Sequence, residues 1–172
     1  MIELLAEAIL CIIIFIATVM DIRSYKVKNI VFVTGWIVSL LVEFIHYGGI
    51  GILRWSAGCV LPIIILLPLF LIKGIGGADV KAFSVIGAFM GIDKVITITI
   101  ISFIIAAIFS LAKMIICRNL FIRLRCLANY ISDIITTGKI TRYYYYDKND
   151  KGTIIHFMVP IFIALVAVLL YV

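Results

Sequence analysis

Apolar runs of about the length of a membrane-crossing helix follow one another along the chain. About 20 consecutive apolar residues are needed to cross the ~30 Å hydrocarbon core of a bilayer as a helix. The chain is 65% hydrophobic and only 14% charged, whereas a soluble domain is about 45–50% apolar and about 25% charged. These features predict an all-α integral membrane protein with about six transmembrane helices, in a single polytopic domain over residues 1–172. The predicted spans are residues 2–20, 30–47, 56–72, 80–91, 95–116 and 153–172.

The basic residues predict how these spans are oriented. Cytoplasmic loops of membrane proteins carry an excess of Lys and Arg. If the loop after the first span is cytoplasmic, only Arg54 and Lys94 of the 15 Lys and Arg residues lie outside. This orientation places both termini outside and predicts a multi-pass protein of the cytoplasmic (inner) membrane. It also accounts for the net charge of +6 without a nucleic-acid partner.

The long polar segment, residues 118–152, is predicted to form a basic amphipathic loop on the cytoplasmic side. Its apolar residues recur at helical spacing with arginines between them. This pattern is typical of a helix that lies on the membrane surface. Membrane lipid is therefore one predicted partner.

Smaller signals predict local features of the spans. Residues 53–55, which include an Arg and a Trp, are predicted to lie at the membrane interface before the third span. Gly87 and Gly91 form a G-x-x-x-G pair, which allows another helix to approach closely. Residues 91–94 are predicted to form a turn between the fourth and fifth spans.

Two acidic residues interrupt this apolar pattern at the predicted cytoplasmic face. Asp21 ends the first span, and Asp79 lies in a glycine-rich interruption, residues 73–81. Acidic side chains at membrane depth are costly and usually functional. Two carboxyl groups placed close together share one proton, so that one can act as a general base on water and the other as a general acid. Asp21 and Asp79 are therefore predicted to be a catalytic pair.

The residues just before Asp79 have small side chains or none. Gly76, Gly77 and Ala78 would let an extended substrate backbone approach the acid and pair with the loop. The four cysteines show no C-x-x-C spacing and no nearby His to complete a zinc set. Neither a metal site nor a cofactor is predicted.

The order of these motifs matches a known family. In that family an Asp precedes a basic stretch and Pro-Asn, and G-x-G-D-x-K follows later. Here Asp21 is followed by basic residues and then by Asn29, and the later motif reads Gly76-Gly77-Ala78-Asp79-Val80-Lys81. The chain resembles the type IV prepilin peptidases, membrane aspartyl proteases of the GxGD class that are related to archaeal preflagellin peptidases. It departs from their pattern at Lys28, where Pro is usual, and at Ala78, where Gly is usual.

The resemblance implies hydrolysis of the basic leader peptide of pilin-like precursor proteins at the cytoplasmic face. It implies catalytic roles for Asp21 and Asp79. Lys81 either contributes to the cytoplasmic positive charge or also tunes the acids or holds substrate, and Asn29 either caps a helix or forms a hydrogen bond near the site. The C-x-x-C pairs of the larger, N-methylating members are absent from the sequence. A peptidase-only form without methyltransferase activity is therefore expected. The candidate substrate-binding or supporting residues are Gly76, Gly77, Ala78, Lys81 and Asn29.

Two other classes of function stay open at this stage. A small membrane transporter or channel subunit can also carry protons or cations on paired acids beside broken helices. Its acids are expected near the midplane of the membrane, whereas Asp21 and Asp79 are predicted at one face. An inactive member of the same fold that acts as an assembly scaffold is the second alternative.

Overall fold

The computed structural model describes residues 2–116 and 156–171, which form helices and, within these ranges, no strand. Four of the helices are long and apolar enough to cross a membrane, and the last is a shorter apolar helix. The predicted all-α fold with membrane-spanning helices is confirmed, while six crossings and the sides of the termini and loops stay predictions. The predicted basic loop, residues 118–152, lies outside the described residues. The helices are α1 (Ile2–Ser24), α2 (Asn29–Tyr47), α3 (Gly49–Leu71), α4 (Gly77–Ile116) and α5 (Met158–Tyr171).

The chain divides into two compact units. The first unit comprises Met1–Ile105 and His156–Val172, and the second comprises Ala106–Ile155. Every contact reported below lies within the first unit. The described part of the second unit is the end of α4, residues 106–116. A single domain over residues 1–172 stays a prediction.

Helix α3 begins earlier than the sequence predicts. The predicted interfacial segment, residues 53–55, lies inside the helix, which starts at Gly49. Gly48 ends α2 with a positive φ of 60°, and its N–H donates to the carbonyl oxygen of Phe44 at 2.8 Å. Because glycine adopts this conformation without steric cost, the chain turns at one residue and the next helix starts at once.

Helix α4 is broken at Gly91, where φ is 79° and ψ is −177°. In an unbroken helix Phe83 and Phe103 would lie about 30 Å apart. Both rings instead pack on Phe157, with ring centroids 6.4 Å and 5.3 Å away. The chain therefore reverses between them, as the predicted turn at residues 91–94 requires. Within the first unit, the first segment of α4, before the break (77–90), and the second segment, after it (92–105), therefore fold back on each other.

The predicted close approach of helices occurs at one glycine of the G-x-x-x-G pair. A Cβ atom built on Gly87 would overlap the carbonyl oxygen of Gly58, and one built on Gly58 would overlap that of Gly87. Helices α3 and α4 thus meet backbone to backbone at this point. Gly91 makes no comparable contact and supplies the break in α4 instead.

Polar side chains join the helices inside this apolar unit. The indole N–H of Trp36 on α2 donates to Ser84 Oγ on α4 at 3.2 Å. Ser84 Oγ in turn donates to the carbonyl oxygen of Cys59 on α3 at 2.9 Å. Hydrogen bonds of this kind help to hold membrane helices together because lipid provides no alternative partner. The surrounding core is apolar and includes Leu10, Ile14, Phe32, Phe83, Ile86, Ile161 and Leu165.

Candidate active site

Asp79 lies in the first turn of α4 and is held by the residue that precedes the helix. The Gly76 carbonyl oxygen accepts the N–H of Asp79 at 3.1 Å. Asp79 Oδ2 accepts the N–H of Gly76 at 3.2 Å, which is one half of a capping box. An acid that only caps a helix can stay in water, but Asp79 is only 9% exposed. Because burial of a carboxyl group is costly, helix capping alone does not account for its position.

A sharp end to α3 brings the chain to this point. Lys73 takes a left-handed conformation with a φ of 59°. Its N–H donates to the Phe70 carbonyl oxygen at 3.0 Å, and the Gly74 N–H donates to that of Leu69 at 2.8 Å. These two bonds form a Schellman motif, which satisfies the last carbonyl groups of a helix. Helix α4 then begins at Gly77, so a short connection carries the Asp79 motif.

Asp21 lies in the last turn of α1. The N–H of Tyr25 donates to the Asp21 carbonyl oxygen at 2.9 Å, with Tyr25 in a left-handed conformation (φ 54°) that closes the helix. The Asp21 carboxylate Oδ2 lies 3.1 Å from Nδ1 of His156, the residue that leads into α5. The backbone of Asp21 is therefore held by the close of its own helix, and its carboxylate is held by His156, far along the chain.

The two predicted acids lie within electrostatic range of each other. The end of α1 carries Asp21 and the start of α4 carries Asp79. The Asp21 carboxylate is close enough to act electrostatically on the Asp79 carboxyl group. Two acids from different helices, one of them buried, can supply the base and the acid of a hydrolytic reaction.

The supporting residues predicted from the sequence are also brought together in part. Lys81 Nζ donates to Asn29 Oδ1 at 2.8 Å, which joins the first segment of α4 to the start of α2. Gly76 is exposed, and Gly77 and Ala78 are half-buried, so the segment just before Asp79 is partly accessible from outside the protein.

The sequence model of the type IV leader peptidase family matches residues 8–111. The chain belongs to the type IV leader peptidase family. The resemblance found in the sequence is thus confirmed, and the protein is a multi-pass membrane peptidase, a hydrolase. The matched range contains both Asp21 and the motif that ends at Lys81. Comparisons with curated proteins and with solved structures gave no match.

Sequence reasoning missed two groups at the site of the peptidase. His156 bonds to Asp21, and the rings of His156 and Tyr25 stack with centroids 4.8 Å apart. The predicted topology already indicated that His156 could lie near Asp21. The end of the first span and the start of the last span were placed at the same membrane face, so residues there could meet. In residues 2–116 and 156–171, no cluster of three or more His, Cys, Asp or Glu side chains is placed to hold a metal ion.

An apolar groove of about 260 Å³ lies beside the glycine-rich motif of the peptidase. It is defined by Trp36 on α2, Leu67 and Phe70 on α3, and Gly77 and Lys81 on α4. Gly77 and Lys81 belong to the same motif as Asp79, but Asp79 itself does not line the groove. Phe70 also limits Gly77, since a Cβ atom there would lie 3.3 Å from the phenyl ring.

Proposed function

We propose that the peptidase is an aspartic endopeptidase that removes the leader peptide of pilin-like precursor proteins at the cytoplasmic face of the membrane. Asp21 and Asp79 activate the attacking water. The observation that carries this proposal is the burial of Asp79, beside a glycine-rich segment whose Gly76 N–H it accepts and within electrostatic range of Asp21 from α1. Membership of the type IV leader peptidase family supports the same reaction class.

The reaction needs one proton acceptor and one proton donor. One carboxylate takes a proton from water while the water oxygen bonds to the scissile carbonyl carbon, and the other carboxyl group gives its proton to the carbonyl oxygen. The C–N bond of the resulting tetrahedral intermediate then breaks, the leaving nitrogen takes the proton that the first carboxyl group received from water, and the second carboxylate regains its proton from a hydroxyl group of the intermediate. This scheme requires two carboxyl groups within reach of one water, which is the role assigned to Asp21 and Asp79.

The segment around Asp79 suits an extended peptide substrate. Gly76 is exposed and has no side chain, so a peptide backbone can lie against it next to the acid. The apolar groove beside Gly77 and Lys81 gives apolar side chains of the substrate a place to bind. Substrate binding is therefore assigned to Gly76, Gly77, Ala78 and Lys81, with Asn29 holding Lys81 in place.

A cleavage assay tests the catalytic pair. The purified protein in detergent is mixed with a leader-bearing pilin precursor, and the size shift of the precursor is followed for Asp21→Asn and Asp79→Asn. Each change removes one acid–base group, so each is expected to lower the cleavage rate by at least about 100-fold. The matched control is Asp93→Asn, because Asp93 is an exposed acid in α4 beyond the break at Gly91.

Near-normal cleavage by either variant would show that the pair is not catalytic. Loss of activity in Asp93→Asn as well would point to a general effect of removing negative charge. If the wild-type protein cuts none of several precursors, the inactive assembly scaffold becomes the better interpretation. Folding of each variant is checked by gel filtration in detergent.

The membrane side of the site is tested by labelling single cysteines in a variant without native cysteines. Lys26→Cys lies between α1 and α2, at the proposed cytoplasmic end. Ile50→Cys lies at the start of α3, at the opposite end, and its side chain is 69% exposed. A membrane-impermeant maleimide is expected to label position 50 from outside intact cells and position 26 only in inverted vesicles. The opposite labelling would place the acids outside.

A further inference from the structure

His156 contacts Asp21 of the proposed catalytic pair, although it lies outside residues 8–111, which match the family model. Its Nδ1 lies 3.1 Å from Asp21 Oδ2, and the two side chains are only 23% and 19% exposed. Among the described residues, His156 is the side chain within hydrogen-bond distance of the Asp21 carboxylate. When the Asp21 carboxyl group is ionised it only accepts hydrogen bonds, and the imidazole then donates from Nδ1.

The start of α5, which follows His156, is anchored to α1. The Met158 carbonyl oxygen accepts a hydrogen bond from Thr18 Oγ1 of α1 at 3.4 Å, and Met158 is fully buried. Pro160 lies in the first turn of α5, where its missing N–H removes no helical hydrogen bond. The Tyr25 ring stacks on the imidazole from the end of α1. The imidazole thus contacts Asp21 and Tyr25 at the end of α1, while the Thr18 bond to Met158 anchors the chain that carries it.

The neighbouring residue links the same point to the second acid. The Phe157 ring packs on Phe83, with ring centroids 6.4 Å apart. Phe83 lies one turn after Asp79 in the first segment of α4, so the two side chains share a helix face. Residues 156 and 157 thus contact both helices that carry the proposed catalytic acids, one through Asp21 and the other through Phe83.

We propose that His156 is a positioning residue that directs the Asp21 carboxylate toward Asp79 and the water between them. This inference rests on the proposed function, because it assigns a role within the Asp21/Asp79 pair. Asp79 has its own support from the Gly76 N–H, whereas Asp21 ends a helix and takes its orientation from the imidazole. A displacement of about 1 Å in a reacting group can lower the rate about 100-fold, and loss of the bond to His156 permits movement on that scale.

Steady-state cleavage of a pilin precursor that the wild-type protein cuts tests this role. His156→Ala is expected to lower kcat by about 10- to 100-fold and to leave KM within about twofold, because orientation matters in the transition state more than in substrate binding. His156→Asn places an amide nitrogen near the position of Nδ1 and is expected to recover most of kcat. His156→Gln places its amide farther out and is expected to recover less.

The matched control is His46→Ala. His46 is the other histidine of the chain and also packs on a tyrosine, Tyr47, with ring centroids 4.4 Å apart. It lies at the far end of α2 from the proposed site, so its replacement is expected to leave kcat unchanged. Thermal stability is measured for every variant, and the Asn and Gln variants, which keep a polar side chain, still decide the question if His156→Ala does not fold.

Each outcome separates this proposal from the one on which it rests. Full kcat in His156→Ala, with Asp21→Asn inactive, would overturn the positioning role and leave the catalytic pair intact. Equal loss of kcat in the Asn and Gln variants would also overturn it, because a positioning hydrogen bond depends on which ring nitrogen is mimicked. Full activity in Asp21→Asn would overturn both proposals together.

Discussion

Replacing Gly76 by alanine should disturb the Asp79 carboxylate and little else. A Cβ atom on Gly76 would lie 3.0 Å from Asp79 Oδ2. The φ angle of Gly76 is not in the left-handed region, so alanine can adopt the same backbone conformation. The added methyl group and the carboxylate oxygen would be closer than ordinary van der Waals contact. The carboxylate must then move, and the bond from the Gly76 N–H, now 3.2 Å long, must lengthen.

The size of the effect follows from this distance. Ordinary contacts of a Cβ atom begin at 3.4 Å, so the carboxylate oxygen has to move by about 0.4 Å. If a shift of about 1 Å costs about 100-fold in rate, a shift of this size costs about sixfold in kcat. The free energy of unfolding should fall by only about 0.5–1 kcal/mol, since alanine is a poorer residue than glycine before the first turn of a helix.

Initial rates of precursor cleavage at saturating substrate measure this change, at a temperature well below the unfolding midpoint. Gly74→Ala is the matched control, because its Cβ atom would be similarly close, 3.3 Å, to the Leu69 carbonyl oxygen but would not touch Asp79. The control is expected to lose a comparable amount of stability and to keep its kcat. Wild-type kcat in Gly76→Ala, or the same loss of kcat in both variants, would refute the link between Gly76 and the carboxylate.

Two further predictions concern contacts between helices. Gly87→Ala should lower the free energy of unfolding in detergent by about 1–3 kcal/mol, because the methyl group would overlap the Gly58 carbonyl oxygen. The control Gly49→Ala, with open space around it, should change this free energy by less than about 0.5 kcal/mol. Equal values for the two variants would contradict the close α3–α4 contact. In a double-mutant cycle, the losses of unfolding free energy for Lys81→Met and Asn29→Ala should differ from additivity by about 0.5–1.5 kcal/mol, because each change removes the same hydrogen bond. Strict additivity would show that this bond contributes nothing to stability.

Features that depend on local sequence were predicted well. The apolar runs gave the helices of a membrane protein because the transfer of each segment into lipid depends on its own composition. The glycine-rich interruption predicted the start of a new helix near Asp79, and Gly91 predicted the turn within α4. The order of Asp21 and the later motif predicted the family, which the family comparison confirms.

Boundaries were predicted less well where one residue decides them. Helix α3 includes residues 53–55, since Gly48 makes the whole turn from α2 by itself. At the other end of α3 the left-handed residue is Lys73, although Gly74 follows it directly and would adopt that conformation at lower cost. The choice between neighbouring residues depends on how the following helix docks, which the local sequence does not specify.

The sequence by itself determined that this chain is a helical membrane protein with two acids at the ends of helices, because burial in lipid and the cost of an acid there are properties of single segments. Only the tertiary structure decided which side chains meet. The His156 bond to Asp21 joins residues 135 positions apart, and the Gly58 contact with Gly87 depends on the rotation of two helices about their axes. A small rotation or shift of α5 against α1 would leave every apolar run equally buried and yet remove the imidazole from the carboxylate, so the apolar pattern does not encode this contact.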